Sequence, residues 1–212
     1  VYDGPENIPD SLKNIEIEDY KDALIIPGLT DLHLHATQFA FRGLGMDMEL
    51  LDWLNTYTFP EEVKYNDIDY AKRAYKKFVE NLKKSFTTRA VIFATLHKDA
   101  TILLMDMLEE SGLKCFVGKV NMDRNSPDNL IETTEKSAKN TEEWLKSCKN
   151  RYKKIKPIIT PRFIPSCSDK LMEELGRIRG TEYGLQSHLS ENPSEVAWVK
   201  ELCPKSSGYL DA

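Results

Sequence analysis

The chain has 212 residues, 30% of them charged and 41% hydrophobic, with 29 Lys and Arg against 34 Asp and Glu and a net charge of −5. That length supports one large domain, or a domain plus a small piece, with a sizeable core. The acidic balance argues against a nucleic-acid binder, and no apolar run approaches the roughly 20 residues that span a bilayer.

Residues 1–26 open with polar, irregular sequence containing Gly4, Pro5 and Pro9 and a short IEIEDY alternation from Ile15. They read as the trailing edge of a small β-rich unit and the entry to the domain that fills 27–212. Five strand-like segments then recur, at 29–35, 90–96, 115–122, 155–163 and 183–189. Between them the apolar spacing predicts helices over 48–57, 69–86, 101–110, 135–148, 169–178 and 193–202. The last has the clearest start, with Asn192 as N-cap, Pro193 at the first helical position and Glu195 where a capping box needs it. KSCKNRYKKIK at 146–156, the densest basic stretch, lacks aromatic interleaving and reads as a solvated helix end and loop.

Strands alternating with helices of this length imply an α/β fold with parallel strands. Five strand–helix units fit an incomplete eight-stranded barrel of the (β/α)8 type. A doubly wound open sheet is the alternative, weakened by the lack of a glycine-rich phosphate loop after the first strand. Cys115, Cys148, Cys167 and Cys203 are scattered with no CxxC pair, and no segment resembles a signal peptide. A cytoplasmic protein with reduced thiols is the default expectation.

The four histidines are His33, His35, His97 and His188. His33 and His35 are two apart at the end of the first strand, so both imidazoles project from one face. His188 closes the fifth strand and in a barrel faces the first across the central cavity. Three imidazoles with an open fourth position suit a catalytic zinc; polar residues on an exposed strand are the plainer account of an HxH pair. Glu191, at the same mouth, is placed to move a proton or else to cap the approaching helix. Arg162 and Phe163 end the fourth strand, where a guanidinium donates to a carbonyl or ring nitrogen and a phenyl ring stacks on a planar substrate. A loop ion pair and a core phenylalanine are the alternatives. Gln38 can read a ring amide, and His97 reads as orienting its loop or a neighbouring ligand rather than touching metal.

The run PGLTDLHLHATQFAFRG resembles the first metal motif of the amidohydrolase superfamily. With LLDWLNTYTFPEE, NMDRNSPD, KPIITPRFIPSCS and QSHLSENPSEV, the stretch from Leu24 to Val196 resembles the guanine deaminases within it. The resemblance implies a distorted barrel joined to a small β-sandwich domain. It also implies a homodimer with one zinc per subunit, converting guanine and water into xanthine and ammonia. By motif position it makes His33, His35 and His188 zinc ligands, Gln38, Arg162, Phe163 and His188 substrate-binding residues, and Glu191 the catalytic proton shuttle. The family pattern continues with a histidine on a sixth strand and an aspartate near an eighth. Neither region lies within these residues, Asp211 comes too early to be that aspartate, and the 212 residues alone are therefore expected to be inactive. The approach to strand five, GRIRGTEYGLQSH, is more glycine-rich and less apolar than a buried barrel strand. Hydrolysis of another purine or cyclic amine or amide is the alternative activity, against which NMDRNSPD and TPRF favour guanine. A truncated, non-catalytic relative with a structural or binding role is the alternative from a different class.

Overall fold

The computed structural model describes residues 8–14, 16 and 18–212. Gly4, Pro5 and the Ile15 and Ile17 positions of the expected IEIEDY alternation lie outside the described residues. The first strand, β1 (Leu29–His35), pairs in parallel with β2 (Thr87–Phe93), which pairs with β3 (Lys114–Gly118), which pairs with β5 (Ile155–Pro157). Two short strands, β4 (Val120–Asn121) and β6 (Thr160–Pro161), form a second parallel pair. Cys115 pairs with Ile155 and Asn121 with Pro161, so a single register runs through β3–β5 and β4–β6.

The expected strands at 115–122 and 155–163 are thus each divided in two. Lys119 marks the break. Its side chain is fully buried and donates to Glu132 Oε2 at 3.0 Å and to the carbonyl of Val120 at 3.3 Å. Gly118 beside it permits the close approach of the two chains: a Cβ there would lie 1.7 Å from Thr160 Oγ1 and 2.7 Å from Gln186 Nε2.

The segment expected as a fifth strand, 183–189, is not a regular strand. It makes one bridge, Leu185 to Ile159. Ile159 donates to Gly184 O, Gln186 to Ile159 O and His188 to Arg162 O, each at 3.0 Å, so the ladder position is held without strand geometry. Leu185 and Leu189 are about half exposed, and Gly184 with a polar Gln-Ser-His run supplies little apolar burial to regularise the segment.

The helices are α1 (Leu50–Trp53), α2 (Phe59–Val63), α3 (Ile68–Lys83), α4 (Lys98–Ser111), α5 (Thr134–Cys148), α6 (Asp169–Arg179) and α7 (Pro193–Leu202). A π-helical turn, Leu54–Thr58, joins α1 to α2, so the helix expected at 48–57 runs on to residue 63. Caps set the starts. Asp67 Oδ1 accepts from the N–H groups of Asp69 and Tyr70 before α3. Ser168 Oγ accepts from Leu171 N before α6. Asn192 and Glu195 form the expected capping box before α7. The basic stretch at 146–156 is bound to α4: Arg151 makes a bidentate pair with Asp106 (3.0 and 2.6 Å), and Glu109 accepts from the backbone of Lys153, Lys154 and Ile155.

One apolar core joins a single face of the sheet (Ala90, Ile92, Cys115, Val117, Ile155) to α3 through Tyr75 and Phe78, α4 through Leu104 and Leu108, α5 through Trp144 and α6 through Leu171. The strand order is sequential, and these helices are layered on one face of the sheet. A doubly wound sheet carries helices on both faces, and that alternative is excluded. A second cluster, with Leu54, Phe59, Phe93, Leu96, Val120, Met122 and Phe163, lies apart from it and packs α1 and α2 over the strand ends. No helix among the described residues is long and apolar enough to cross a membrane.

Two predictions follow from this packing. Gly118→Ala should cost about 1–3 kcal/mol, the range for overpacking a filled interior, read as a lower urea midpoint at unchanged slope. Burial pushes the thiols of Cys115 and Cys167 up to about 11 and that of Cys148 up to about 12. In the native protein a thiol reagent at pH 8 should therefore reach Cys203, the one of the four that is partly exposed, and the other three only in denaturant.

Candidate active site at the strand ends

β1 ends in His33 and His35, and the 183–189 segment brings His188 against them. Ring centroids lie 5.2 Å apart for His33–His35 and 4.9 Å apart for each of them with His188. One ligand nitrogen from each ring falls within 4.8 Å of the others, and His35 Nε2 is 2.9 Å from His188 Nε2. Phe93 of β2 backs the cluster, with its ring 4.5 Å from His35 and 4.4 Å from His188.

Arg162 O accepts from His188 Nδ1 at 2.6 Å and from His188 N at 3.0 Å. A carbonyl can only accept, so Nδ1 carries the proton and the Nε2 lone pair is left facing His35. This is how a metal-binding imidazole is usually oriented. Burial pushes the pKa of His188 down to about 3 and that of His35 well below the usual imidazole value, with the nearby positive Arg162 adding to both. Three imidazoles whose ring nitrogens converge, with His188 presenting its Nε2 lone pair, are the donor set that zinc takes, so these residues fit the metal.

The three histidines open into a cavity of about 490 Å3, whose wall includes Gln38, Arg162, Phe163 and Glu191. That volume lies within the range of small-molecule sites. Gln38 comes from the 3-10 turn Thr37–Phe41 that directly follows β1. Arg162 and Phe163, both buried, follow β6. Glu191 stands at the rim after Ser190, whose φ of +56° makes a left-handed turn between the ladder and α7. Its inner side is desolvated, which raises its pKa; Glu195 adds to that, and His33 and Arg162 oppose it. Glu195, fully buried, accepts from Glu191 N at 2.8 Å and also receives the Tyr209 hydroxyl, which fixes the turn.

The structure therefore brings together His33, His35, His188, Gln38, Arg162, Phe163 and Glu191. His97 is elsewhere. It occupies the N-cap position of α4 and lines a separate cavity with Glu132 and Asn140. Sequence reasoning missed Phe93, although it sits on the opposite parity to the core residue Ile92 and so, by period two, projects from the face that carries the histidines. It also missed Glu62 of α2, whose Oε2 accepts from Arg162 Nη1 at 2.8 Å with both side chains buried.

The model of the Amidohydrolase family matches residues 24–212. The chain belongs to that family. It is 43% identical over 193 residues to a guanine deaminase of Dictyostelium discoideum, covering 90% of this chain and 43% of that protein. It is 46% identical over 187 residues to the human guanine deaminase, covering 87% and 41%. Among solved structures, guanine deaminase from C. acetobutylicum, with guanine bound in its active site, superposes with a TM-score of 0.92. That pair shares 51% identity over 96% of this chain and 49% of the other. The E. coli guanine deaminase gives 0.85 at 35% identity, over 97% and 47%. This family member thus has an α/β fold related to that of the guanine deaminases, and it spans less than half the length of the relatives it matches.

The cluster's geometry predicts metal content directly. Each of His33→Ala, His35→Ala and His188→Ala should lower the zinc retained after dialysis well below that of the unaltered protein, measured by atomic emission. His97→Ala should leave it unchanged.

Proposed function

We propose that this protein is a zinc-dependent guanine deaminase, hydrolysing guanine to xanthine and ammonia. We read it as a cytoplasmic homodimer with one zinc per subunit. We read residues 27–212 as the first five units of a (β/α)8 barrel, the fifth with an irregular ladder segment in place of a regular strand, and residues 1–26 as the remnant of a small β-sandwich domain. Sequential strand order and the one-sided helix layer support the barrel reading. The observation that carries the activity is one cavity holding three convergent imidazoles, a desolvated carboxylate, a buried arginine and a phenyl ring. Similarity to a structure that holds guanine in its active site supports the substrate.

A zinc ion held by His33, His35 and His188 would polarise a water molecule and bring its pKa towards neutrality. Glu191, its pKa raised by desolvation, is suited to accept a proton and to hand it on. In the reaction, water attacks the ring carbon that bears the exocyclic amine, and Glu191 carries its protons onward: one ends on the neighbouring ring nitrogen and the other leaves with the amine as ammonia, as the oxygen becomes the new ring carbonyl. A C–O bond replaces a C–N bond, with no change of oxidation state. Arg162 donates to the carbonyl of the six-membered ring, Gln38 reads the adjacent ring amide, and Phe163 stacks on the purine plane.

The deciding assay is ammonia release from guanine by the zinc-supplemented protein expressed from its complete gene. Xanthine formed in equal amount is the expected result, and the absence of xanthine overturns the reading. Glu191→Gln should keep its zinc and lower kcat by about 10²–10⁴-fold, the usual contribution of a positioned proton-transfer group. Unchanged turnover would remove Glu191 from the proton path.

A further inference from the structure

Arg162 reaches the cavity wall as a cation, and Glu62 is the carboxylate that meets it. Arg162 is 2% exposed and Glu62 1%, and Arg162 Nη1 donates to Glu62 Oε2 at 2.8 Å. The ring of Phe59, one turn earlier in α2, lies 5.2 Å from the guanidinium carbon. Glu62 Oε1 is buried and has no hydrogen-bond partner among the described residues, so the carboxylate is not shared with another donor. Arg162 shares the wall of one cavity with His33, His35 and His188, and its backbone carbonyl touches the His188 ring. A second cation bound by those histidines would repel it. A guanidinium is always charged and cannot relieve that repulsion by losing its proton.

Stability gives little reason for such a pair. Desolvating two charges costs about as much as their attraction returns, and well-packed apolar groups of similar volume often do as well. The pair does give orientation: one arm of a planar, five-donor fork is pinned from behind, which leaves its remaining donors aimed at the cavity.

We propose that Glu62 is a positioning residue for the Arg162 guanidinium, and that through it the site selects purines bearing a carbonyl on the six-membered ring over purines that lack one. The inference rests on the guanine reading of this same cavity. Glu62 does not line the cavity; it acts on substrate only through Arg162. Without the counter-charge, the guanidinium turns away from the metal-binding cluster and the substrate carbonyl loses its charged donor. Loss of a hydrogen bond to a charged group weakens binding roughly 10- to 100-fold.

The test compares guanine with 2-aminopurine, which keeps the amine but has no ring carbonyl, in the zinc-loaded protein expressed from its complete gene. In Glu62→Gln the KM for guanine should rise roughly 10- to 100-fold with kcat little changed, the pattern of lost uniform binding. The inhibition constant of 2-aminopurine and the zinc content should stay as they were. Glu62→Asp keeps the charge but draws it back by one methylene. It should show the same selective loss in smaller degree, and it provides the measurement if Glu62→Gln does not fold. Parallel weakening of guanine and 2-aminopurine, or a fall in bound zinc, would make Glu62 a structural residue and overturn the proposal. No change in either constant would overturn it too. If the unaltered protein neither binds guanine nor releases ammonia from it, the guanine reading itself fails and takes this inference with it.

Discussion

The candidate site hangs on the backbone carbonyl of Arg162. Two N–H groups of His188, one from the main chain and one from the imidazole, converge on that oxygen at 3.0 and 2.6 Å. The first sets the register of the 183–189 segment against the chain following β6, and the second sets the tautomer of the ring. A slip of one residue in that register would turn His188 away from His35 and bring Ser187 or Leu189 in its place. The ladder here is too irregular to count as a strand, so these bonds and the Ile159 bridge carry a constraint that regular pairing would otherwise distribute.

The same residue gathers the site's electrostatics. Its backbone holds a ring that must stay neutral to ligate, while its side chain places a permanent positive charge nearby, and burial keeps both effects strong. Glu62 offsets that charge from the side away from the cavity, and Glu191 stands at the rim with its own carboxylate. The buried Lys119–Glu132 pair, 3.0 Å apart, makes a parallel case within the scaffold: it falls where β3 gives way to β4 and ties the break to residues just before α5. In both pairs an ionic contact sits where regular structure is interrupted, and desolvation makes each intolerant of losing one partner.

Much of this was legible in the sequence because it depends on local rules. The two-residue spacing of His33 and His35 needs only strand period, and the Asn192–Glu195 capping box needs only helix-start chemistry; both features stand in the structure. Parallel pairing follows from the alternation of strands with helices, and the strands pair so. The division of the third and fourth strands was not legible, since it comes from a tertiary contact: Gly118 against Thr160 and the pull of Glu132 on Lys119. The expected fifth strand failed where GTEYGLQSH already showed weak β-propensity. Arg162 and Phe163 stand at the end of an apolar segment that reads as a strand, whereas Glu62, a hundred residues from its partner and beside another glutamate, offers no local signal that it faces inward.

Which of those two glutamates faces Arg162 is decided by the π turn. In an uninterrupted α-helix, at about 100° per residue, Glu61 lies about 20° from the direction of Leu54 and Glu62 about 80° from it on the other side. The π turn at Leu54–Thr58 adds about one residue. That rotates everything after it back by about 100°, bringing Glu62 to within about 20° of Leu54 and carrying Glu61 away. The contacts agree with this phase. Leu54 lines the cavity and Glu62 holds Arg162, whereas Glu61, also buried, turns away from the cavity to Lys64 at 2.7 Å and to the Tyr70 hydroxyl of α3. A wider turn has less favourable hydrogen-bond geometry than a regular one, and here it lets one short helical segment supply both an apolar wall of the cavity and the counter-charge behind its arginine. The irregularity in α1–α2 is therefore part of how the site is built, because a straight helix over the same residues would present the wrong glutamate.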